Sequence, residues 1–252
     1  MSGDYEIVKK IVPITKISED GNRICDKYNE GCFIQNKDGV KVSYGYPCIF
    51  YLDDNHFAVC NVVSDVNYYV DGSPNERYYS IVGNEYEISN AIIKWGVIRV
   101  SRNIKGDIIP IGEYLVIPYM YDRISGNNLN TATAYSNGKL TYIDLDINSK
   151  NYGKQLVPCI LDHAVPFSTQ IEGFAECSLE ETTGYLPRNC KPTESIEGSD
   201  LLNWKQAQMI SKYLNGKIDD SILDFETKDA YFNLTGERIQ KEKEPILVKK
   251  RK

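Results

Sequence analysis

The chain has 252 residues, of which 42% are hydrophobic and 25% charged, enough for one β-rich body or two small domains with a substantial core. Its net charge of −6 argues against an electrostatic nucleic-acid binder, because phosphate contacts require a basic face. An acidic surface suits a partner with a basic patch, and it also serves plain solubility. Nineteen tyrosines favour strands with adhesive faces.

Cysteine and histidine usage predicts no metal site and no cofactor. Seven cysteines occur without a Cys-x-x-Cys pair, and His56 and His163 are the two histidines. Zinc sites need several such ligands at short spacing. We interpret the cysteines as small buried side chains in a reducing compartment. No signal peptide or membrane-spanning run is visible, so a cytoplasmic location without membrane contact is expected.

The first third of the chain predicts strands joined by turns. Residues 1–30 form a β-leaning lead-in. Asp38-Gly39 between apolar runs indicates a hairpin, and an apolar strand follows at 56–62.

Residues 64–90 are polar and tyrosine-rich and form an excursion between apolar segments. Long loops in compact domains often carry function, although an extra packed hairpin is an equally good interpretation. The predicted contact residues in this excursion are Tyr68, Tyr69, Glu76, Arg77, Tyr78 and Tyr79.

A forty-residue echo occupies the middle of the chain. Pro118 and Asp122 follow one apolar run, and Pro158 and Asp162 follow another at the same spacing. Self-similarity at a fixed period of this size predicts an array of supersecondary units. The array is predicted over residues 31–190.

The segment that begins at Lys94-Trp95-Gly96 resembles the WG, or KWG, repeat family. That pattern opens on Lys-Trp-Gly, continues through a Val-Ile-Pro…Tyr-Asp block, and ends on Phe-x-x-Gly-x-Ala. Here 116–122 matches the middle block. The next unit opens at 138–144 with Leu140 in place of Trp and Thr141 in place of Gly. Residues 94–187 carry the resemblance, and 31–62 follow the same order without the Trp.

The resemblance implies tandem antiparallel β-hairpin repeats that stack into one β-rich body. A Trp beside a Gly supplies a large anchor where backbones approach closely, and the Asp after the Pro can fix a turn. The residues assigned to repeat structure are Trp95, Gly96, Pro118, Tyr121, Asp122, Pro158, Asp162 and Phe174.

The C-terminal part predicts a helical segment over 198–226. Ser199-Asp200 is expected to cap a helix over 201–215, with Gly216 as its stop, and Asp219–Phe225 adds a short turn. Residues 237–252 form a charged tail that ends in Lys-Lys-Arg-Lys and is predicted to be disordered.

Chemistry-bearing motifs are sparse. His163 occupies a variable repeat position, where Arg123 stands in the preceding unit, and His56 begins a strand next to Asp53 and Asp54. Both are interpreted as surface or capping residues. Asp144-Leu145-Asp146 resembles the start of a calcium loop but lacks its Gly and Glu, which argues against calcium. Phosphate-binding glycine loops and the Gly-x-Ser-x-Gly motif do not occur.

The leading hypothesis is therefore a non-catalytic protein–protein interaction module. We expect an accessory, regulatory or inhibitory subunit that acts on a separate polypeptide in a bacterial or phage conflict setting. One alternative is a nucleic-acid-associated accessory protein that uses aromatic faces and the basic tail. Another is an enzyme with a scattered active site around His56 or His163.

Overall fold

A computed structural model describes residues 4–17, 23–62, 93–102, 108–126, 130–167, 171–191 and 195–239. These residues form twelve strands and two α-helices, and the prediction of a mainly β chain with a C-terminal helical segment is confirmed. The strands are β1 (Tyr5–Ile17), β2 (Arg23–Asn36), β3 (Ile49–Tyr51), β4 (His56–Val62), β5 (Ile93–Arg102), β6 (Ile108–Tyr121), β7 (Arg123–Gly126), β8 (Thr131–Ser136), β9 (Lys139–Asp144), β10 (His163–Ala164), β11 (Phe174–Leu179) and β12 (Thr182–Pro187). The helices are α1 (Trp204–Leu214) and α2 (Phe225–Thr235).

The strands form four antiparallel sheets in chain order. Strands β1 and β2 make an N-terminal hairpin, and β3-β4-β5-β6 make sheet I. Sheet II is β7-β8-β9, and sheet III is β10-β11-β12. The outer strand of sheet II is joined by bridges from Gln155 and Leu161, and that of sheet III by a bridge from Leu202. The segment that leaves each sheet therefore lines its outer edge before it enters the next element.

These sheets stack as successive layers, with a buried apolar cluster between each pair. Ile34 of the N-terminal hairpin packs with Phe57 and Ile98 on one face of sheet I. The opposite face of sheet I packs on sheet II in a second cluster, which contains Trp95 and Ile143. The alternation of side chains along a strand lets sheets I and II bury both faces.

Both helices pack against strand β12 of sheet III. Ala207 and Ile210 of α1 and Leu234 of α2 join the cluster that contains Phe174 of sheet III. The layers thus begin with a hairpin and end with a helical pair.

The first helix begins later than predicted. Ser199 and Asp200 lie in a short 3₁₀ turn, and Asn203 is the residue that caps α1 by accepting a hydrogen bond from the Gln206 amide at 3.0 Å. The chain cannot be helical at Leu202, because Leu202 exchanges backbone hydrogen bonds with Tyr185 of β12.

The second helix extends well beyond the predicted short turn. Asp224 caps α2 by accepting from the Thr227 amide at 2.7 Å, and Gly236 ends it with a φ of 65°. Both capping residues are visible in the sequence.

The Trp-Gly pair occupies a close contact between β5 and β6. Trp95 is 7% exposed and stacks on Phe50, with ring centroids 5.2 Å apart. A Cβ atom on Gly96 would lie 2.6 Å from the carbonyl oxygen of Ile117. In sheet II, the Thr141 hydroxyl donates instead to the Val157 carbonyl at 2.6 Å. Thr141, which corresponds to Gly96 in the repeat pattern, therefore makes a side-chain hydrogen bond to the neighbouring backbone, whereas Gly96 has no room for a side chain.

We expect Trp95→Ala to lower the free energy of unfolding by about 3–5 kcal/mol, because the indole is buried in the cluster between sheets I and II. Urea denaturation would measure the loss. Trp204→Ala is the matched control, since Trp204 is 45% exposed at the start of α1 and should cost less than half as much. Equal losses in the two variants would contradict the assigned burial.

Candidate functional site

The contact residues predicted in the excursion, namely Tyr68, Tyr69, Glu76, Arg77, Tyr78 and Tyr79, lie outside the described residues. The strands on either side are described: Val62 of β4 pairs with Ile93 of β5. Residues 63–92 therefore leave and re-enter sheet I at neighbouring positions. Their contact role stays a prediction.

Asp122 connects sheet I to sheet II. Its Oδ1 accepts a hydrogen bond from the Lys94 ammonium of β5. Its Oδ2 accepts from the Asn137 amide at 2.9 Å, in the turn between β8 and β9. The Asp122 amide donates to the Tyr135 carbonyl at 2.9 Å. The Asp122 carboxylate thus accepts hydrogen bonds from β5 of sheet I and from the β8–β9 turn of sheet II.

Asp162 makes the same set of contacts between sheets II and III. Lys139 of β9 donates to Oδ1, and the Glu180 amide donates to Oδ2 at 2.9 Å. The Asp162 amide donates to the Ser178 carbonyl, also at 2.9 Å. The echo in the sequence therefore corresponds to a recurring arrangement of atoms.

The turns that these carboxylates hold are two-residue turns with positive φ at both positions. Asn137 and Gly138 have φ values of 51° and 82°, and Glu180 and Glu181 have values of 51° and 66°. Asn-Gly suits such a turn, whereas two glutamates adopt it at a steric cost. We infer that the hydrogen bond from the Glu180 amide to Asp162 helps to hold the second turn.

The remaining residues assigned to repeat structure are placed as follows. Tyr121 and Phe174 are buried, and Pro118 is exposed on β6, an outer strand of sheet I. The Tyr121 hydroxyl accepts from the Gln155 amide at 2.7 Å. Pro158 is half-buried in the segment that leaves sheet II, outside the strands. Tyr121 and Phe174 therefore occupy the positions of packing residues.

His56 begins a polar row that crosses sheet I. It pairs with Arg99 of β5, which pairs with Tyr114 of β6. The Arg99 guanidinium donates to the Tyr114 hydroxyl at 2.7 Å. Tyr152, from the loop after β9, lies over the row with its hydroxyl 3.4 Å from that of Tyr114.

Both ring nitrogens of His56 are engaged. Nδ1 lies 2.8 Å from each carboxylate oxygen of Asp53, and Nε2 lies 2.8 Å from the Tyr152 hydroxyl. Burial alone would raise the pKa of Asp53, but hydrogen bonds from His56 and from the Asn55 amide outweigh it and lower that pKa. When Asp53 is ionised and the imidazole is neutral, Nδ1 carries the ring proton and Nε2 accepts a hydrogen bond from the Tyr152 hydroxyl.

The order carboxylate, imidazole, hydroxyl is the one that activates nucleophiles in enzymes. Burial and the hydrogen bond with Tyr114 raise the pKa of Tyr152, which disfavours a reactive phenolate. A polar cavity of about 480 Å³ adjoins the histidine, lined also by Asp54, Asn130 and Asp146. The hydrogen bonds of His56 connect Asp53, in the turn before β4, with Tyr152, in the loop after β9. This geometry supports a structural role better than a catalytic one.

His163 is exposed on β10, and Arg123 is exposed on β7, as expected for a variable surface position. In the aspartate loop, Asp144 and Asp146 accept backbone amide bonds from Asp146 and Asn148 at 3.0 Å each. Within the described ranges, no cluster of three histidine, cysteine or acidic side chains is placed to hold a metal.

The sequence interpretation missed a surface at the connection between the helices. Leu214 ends α1, Ile222 lies in the connection, and Phe225 begins α2; these three residues are called the connector patch below. Their exposures are 54%, 55% and 80%, and Phe225 is the most exposed large apolar side chain among the described residues. The Asp224 and Gly236 caps could have revealed α2, but no sequence signal distinguishes an exposed Phe from a buried one.

The connector patch has an acidic surround. Residues 214–229 contain five carboxylates and two lysines. The acidic side chains that are exposed there are Asp219, Asp224, Glu226 and Asp229. Apolar residues flanked by a polar, predominantly acidic stretch are a common composition for a binding surface.

No protein-family model, curated protein or solved structure matches this chain. In the part of the chain that the structure describes, no helix is long and apolar enough to cross a membrane.

Acid should weaken the two sheet junctions. Hydrogen bonds from Lys94 and the Asn137 amide lower the pKa of Asp122, and those from Lys139 and the Glu180 amide lower the pKa of Asp162. A carboxylate with a lowered folded-state pKa stabilises the fold above its ordinary pKa of about 4, and that stabilisation is lost as the pH falls through the lowered value.

We therefore expect the double variant Asp122→Asn, Asp162→Asn to be less stable than the wild type at pH 7. Below about pH 4 it should lose less additional stability than the wild type does. Urea denaturation from pH 7 to pH 3 measures both. Asp229→Asn, at an exposed site on α2, should change the free energy of unfolding by less than about 0.5 kcal/mol at pH 7. Parallel acid profiles for the wild type and the double variant would refute the junction role.

Proposed function

We propose that this chain is a non-catalytic interaction module that binds a separate protein through the connector patch. The observation that carries the proposal is the 80% exposure of Phe225 at the first position of α2, beside the half-exposed Ile222. A polar residue would serve this helix position equally well for folding. Burying a phenyl ring on a partner contributes about 1.5–3 kcal/mol.

The rest of the helical pair is well packed, which sets the connector patch apart. Leu202, Ala207 and Ile210 are fully buried, and Tyr231 and Leu234 are nearly so. The exposure of Phe225 is therefore not a sign of a loosely packed segment. Aromatic anchors on a rigid support are typical of the residues that contribute most to binding.

The charge around the connector patch supports one class of partner. Four exposed carboxylates and one exposed lysine, Lys217, lie in the same stretch of chain as the connector patch, and the whole chain has a net charge of −6. A partner with an apolar pocket rimmed by lysine or arginine complements this surface. Opposite charges at the rim accelerate encounter, so association should slow as salt is added.

The array and its setting belong to the same proposal. The paired contacts of Asp122 and Asp162 support tandem β-hairpin units of the WG type. An accessory or inhibitory subunit in a bacterial or phage setting agrees with a chain in which both ring nitrogens of His56 are engaged within the fold. The nucleic-acid alternative depended on a basic tail, and residues 240–252 of that tail lie outside the described residues.

An enzyme is the second candidate, because Asp53, His56 and Tyr152 form a hydrogen-bonded series beside a polar cavity. In this alternative His56 would act as general base toward the Tyr152 hydroxyl. The raised pKa of Tyr152 opposes the alternative.

Phe225→Ser should weaken partner binding at least about 30-fold, as expected for an aromatic anchor, and should leave the fold unchanged. Wild-type protein would first recover the partner from host extract, and surface plasmon resonance with the purified partner would then measure affinity. Met120→Ser is the control, because Met120 is 48% exposed on sheet I, away from the helices. Equal affinity for wild type and Phe225→Ser, or association that salt does not slow, would overturn the proposal.

Tyr152→Phe separates the two candidates. It removes the hydroxyl that contacts His56 and should cost about 1 kcal/mol of stability. The enzyme alternative expects wild-type hydrolysis of p-nitrophenyl acetate at more than about ten times the rate of this variant. The interaction proposal expects the two rates to be equal.

A further inference from the structure

A second cavity lies where sheets II and III meet the helices. It has a volume of about 400 Å³ and is lined by the loop after β9, the start of β11, the end of β12 and both helices. We call it the helix-side cavity. Leu214 belongs both to its lining and to the connector patch. The cavity therefore opens beside the surface through which we propose that the partner binds.

One wall of the helix-side cavity is apolar and rigid. Phe174 and Tyr231 are almost completely buried, and their ring centroids are 6.5 Å apart. Pro187 and Leu214 complete this wall. Leu214 keeps more than half of its side chain in solvent, so an apolar ligand would gain contact there without displacing a packed neighbour.

The other end of the cavity is polar. Nη2 of Arg188 lies 3.5 Å from Asp144 Oδ1 and 3.4 Å from Asp146 Oδ2. These separations exceed the 2.7–2.9 Å of a strong charge-assisted hydrogen bond. Asn189 contributes an amide, whose position is fixed by hydrogen bonds of 2.8 and 3.0 Å with the Tyr231 hydroxyl. This end offers hydrogen-bonding groups on a pre-positioned support.

The lining carries charges of both signs, with Asp144 and Asp146 against Arg188 and Lys150. The Arg188 guanidinium lies near both aspartates, and the Lys150 ammonium is hydrogen-bonded to Glu237. A cationic ligand would be repelled by the basic residues of the lining, and an anionic ligand would be repelled by the acidic ones. A neutral group with an apolar body and one hydrogen-bonding tip matches the apolar wall and the polar end together. Among protein side chains, tyrosine and tryptophan have this character.

We propose that the helix-side cavity receives a tyrosine or tryptophan side chain of the partner. This inference rests on the proposed function and names the anchor that the partner supplies. The connector patch then contributes apolar residues that bind outside the cavity, and the cavity contributes the pocket that a partner's aromatic residue fills. Interfaces commonly combine anchors from both sides.

The test uses isolated side-chain analogues, so it does not depend on identifying the partner. The probes are p-cresol and indole, titrated into the full chain and followed by amide chemical shifts in two-dimensional NMR. A group of this size in a preformed pocket should bind with a dissociation constant on the order of 1–10 mM. Shifts should be largest around Arg188, Asn189 and Leu214. Benzylamine and benzoate, which carry a charge, should bind at least about tenfold more weakly than p-cresol.

Leu214→Ser is the informative variant, since its site is exposed enough for the fold to tolerate the change. It should weaken p-cresol binding at least about fivefold by removing part of the apolar wall. Met120→Ser should leave p-cresol binding unchanged, and a thermal melt would establish that both variants are folded.

The outcomes separate this inference from the proposed function. If p-cresol and indole cause no saturable shifts around the cavity, or if Leu214→Ser binds them as well as the wild type does, the aromatic-anchor inference is overturned. Loss of the partner in Phe225→Ser would then still support the interaction module. If p-cresol binds the cavity saturably but Phe225→Ser binds the partner as well as the wild type does, the cavity is a ligand site and the proposed interface is rejected.

Discussion

A single carboxylate directs the chain from each sheet to the next. At Asp122 and Asp162, one oxygen is bonded to a lysine of the sheet being left, and the other to a turn amide of the sheet being entered. Each of these two aspartates is therefore held between the sheet that precedes it and the sheet that follows it. Sheet II follows sheet I, and sheet III follows sheet II, through the same local set of hydrogen bonds. The buried clusters between layers depend on that placement.

The layering also decides where function can lie. Sheets I and II use both faces for packing. The row from His56 to Tyr114 crosses sheet I, and its members are hydrogen-bonded to one another or to Tyr152. The outermost layer is different. Its helices finish the stack, and their connection presents Ile222 and Phe225 to solvent. The two most exposed large apolar side chains of the described residues, Phe225 and Ile222, thus lie in the helical layer.

Local signals made much of the fold predictable. The Pro and Asp echo predicted recurring units, and Asp38-Gly39 predicted a hairpin, because these residue types act on the backbone next to them. Asn137-Gly138 is a signal of the same kind. Glu180-Glu181 gives no such signal, since its turn depends on Asp162, 18 residues earlier. Contacts between distant residues were equally hidden: Tyr152 reaches His56 across 96 positions. The exposure of Phe225 was not predictable either, because hydrophobicity favours burial and only the packed structure shows that the ring is left outside.

The pairing of Val62 with Ile93 has an evolutionary consequence. Sheet I holds these two positions side by side, so the strands meet whatever residues connect them. Sheets II and III make the same connection with two residues, whereas sheet I uses thirty, from 63 to 92. The entropy of closing a connection rises only logarithmically with its length, so a sheet that holds two strands together tolerates insertions and deletions between them.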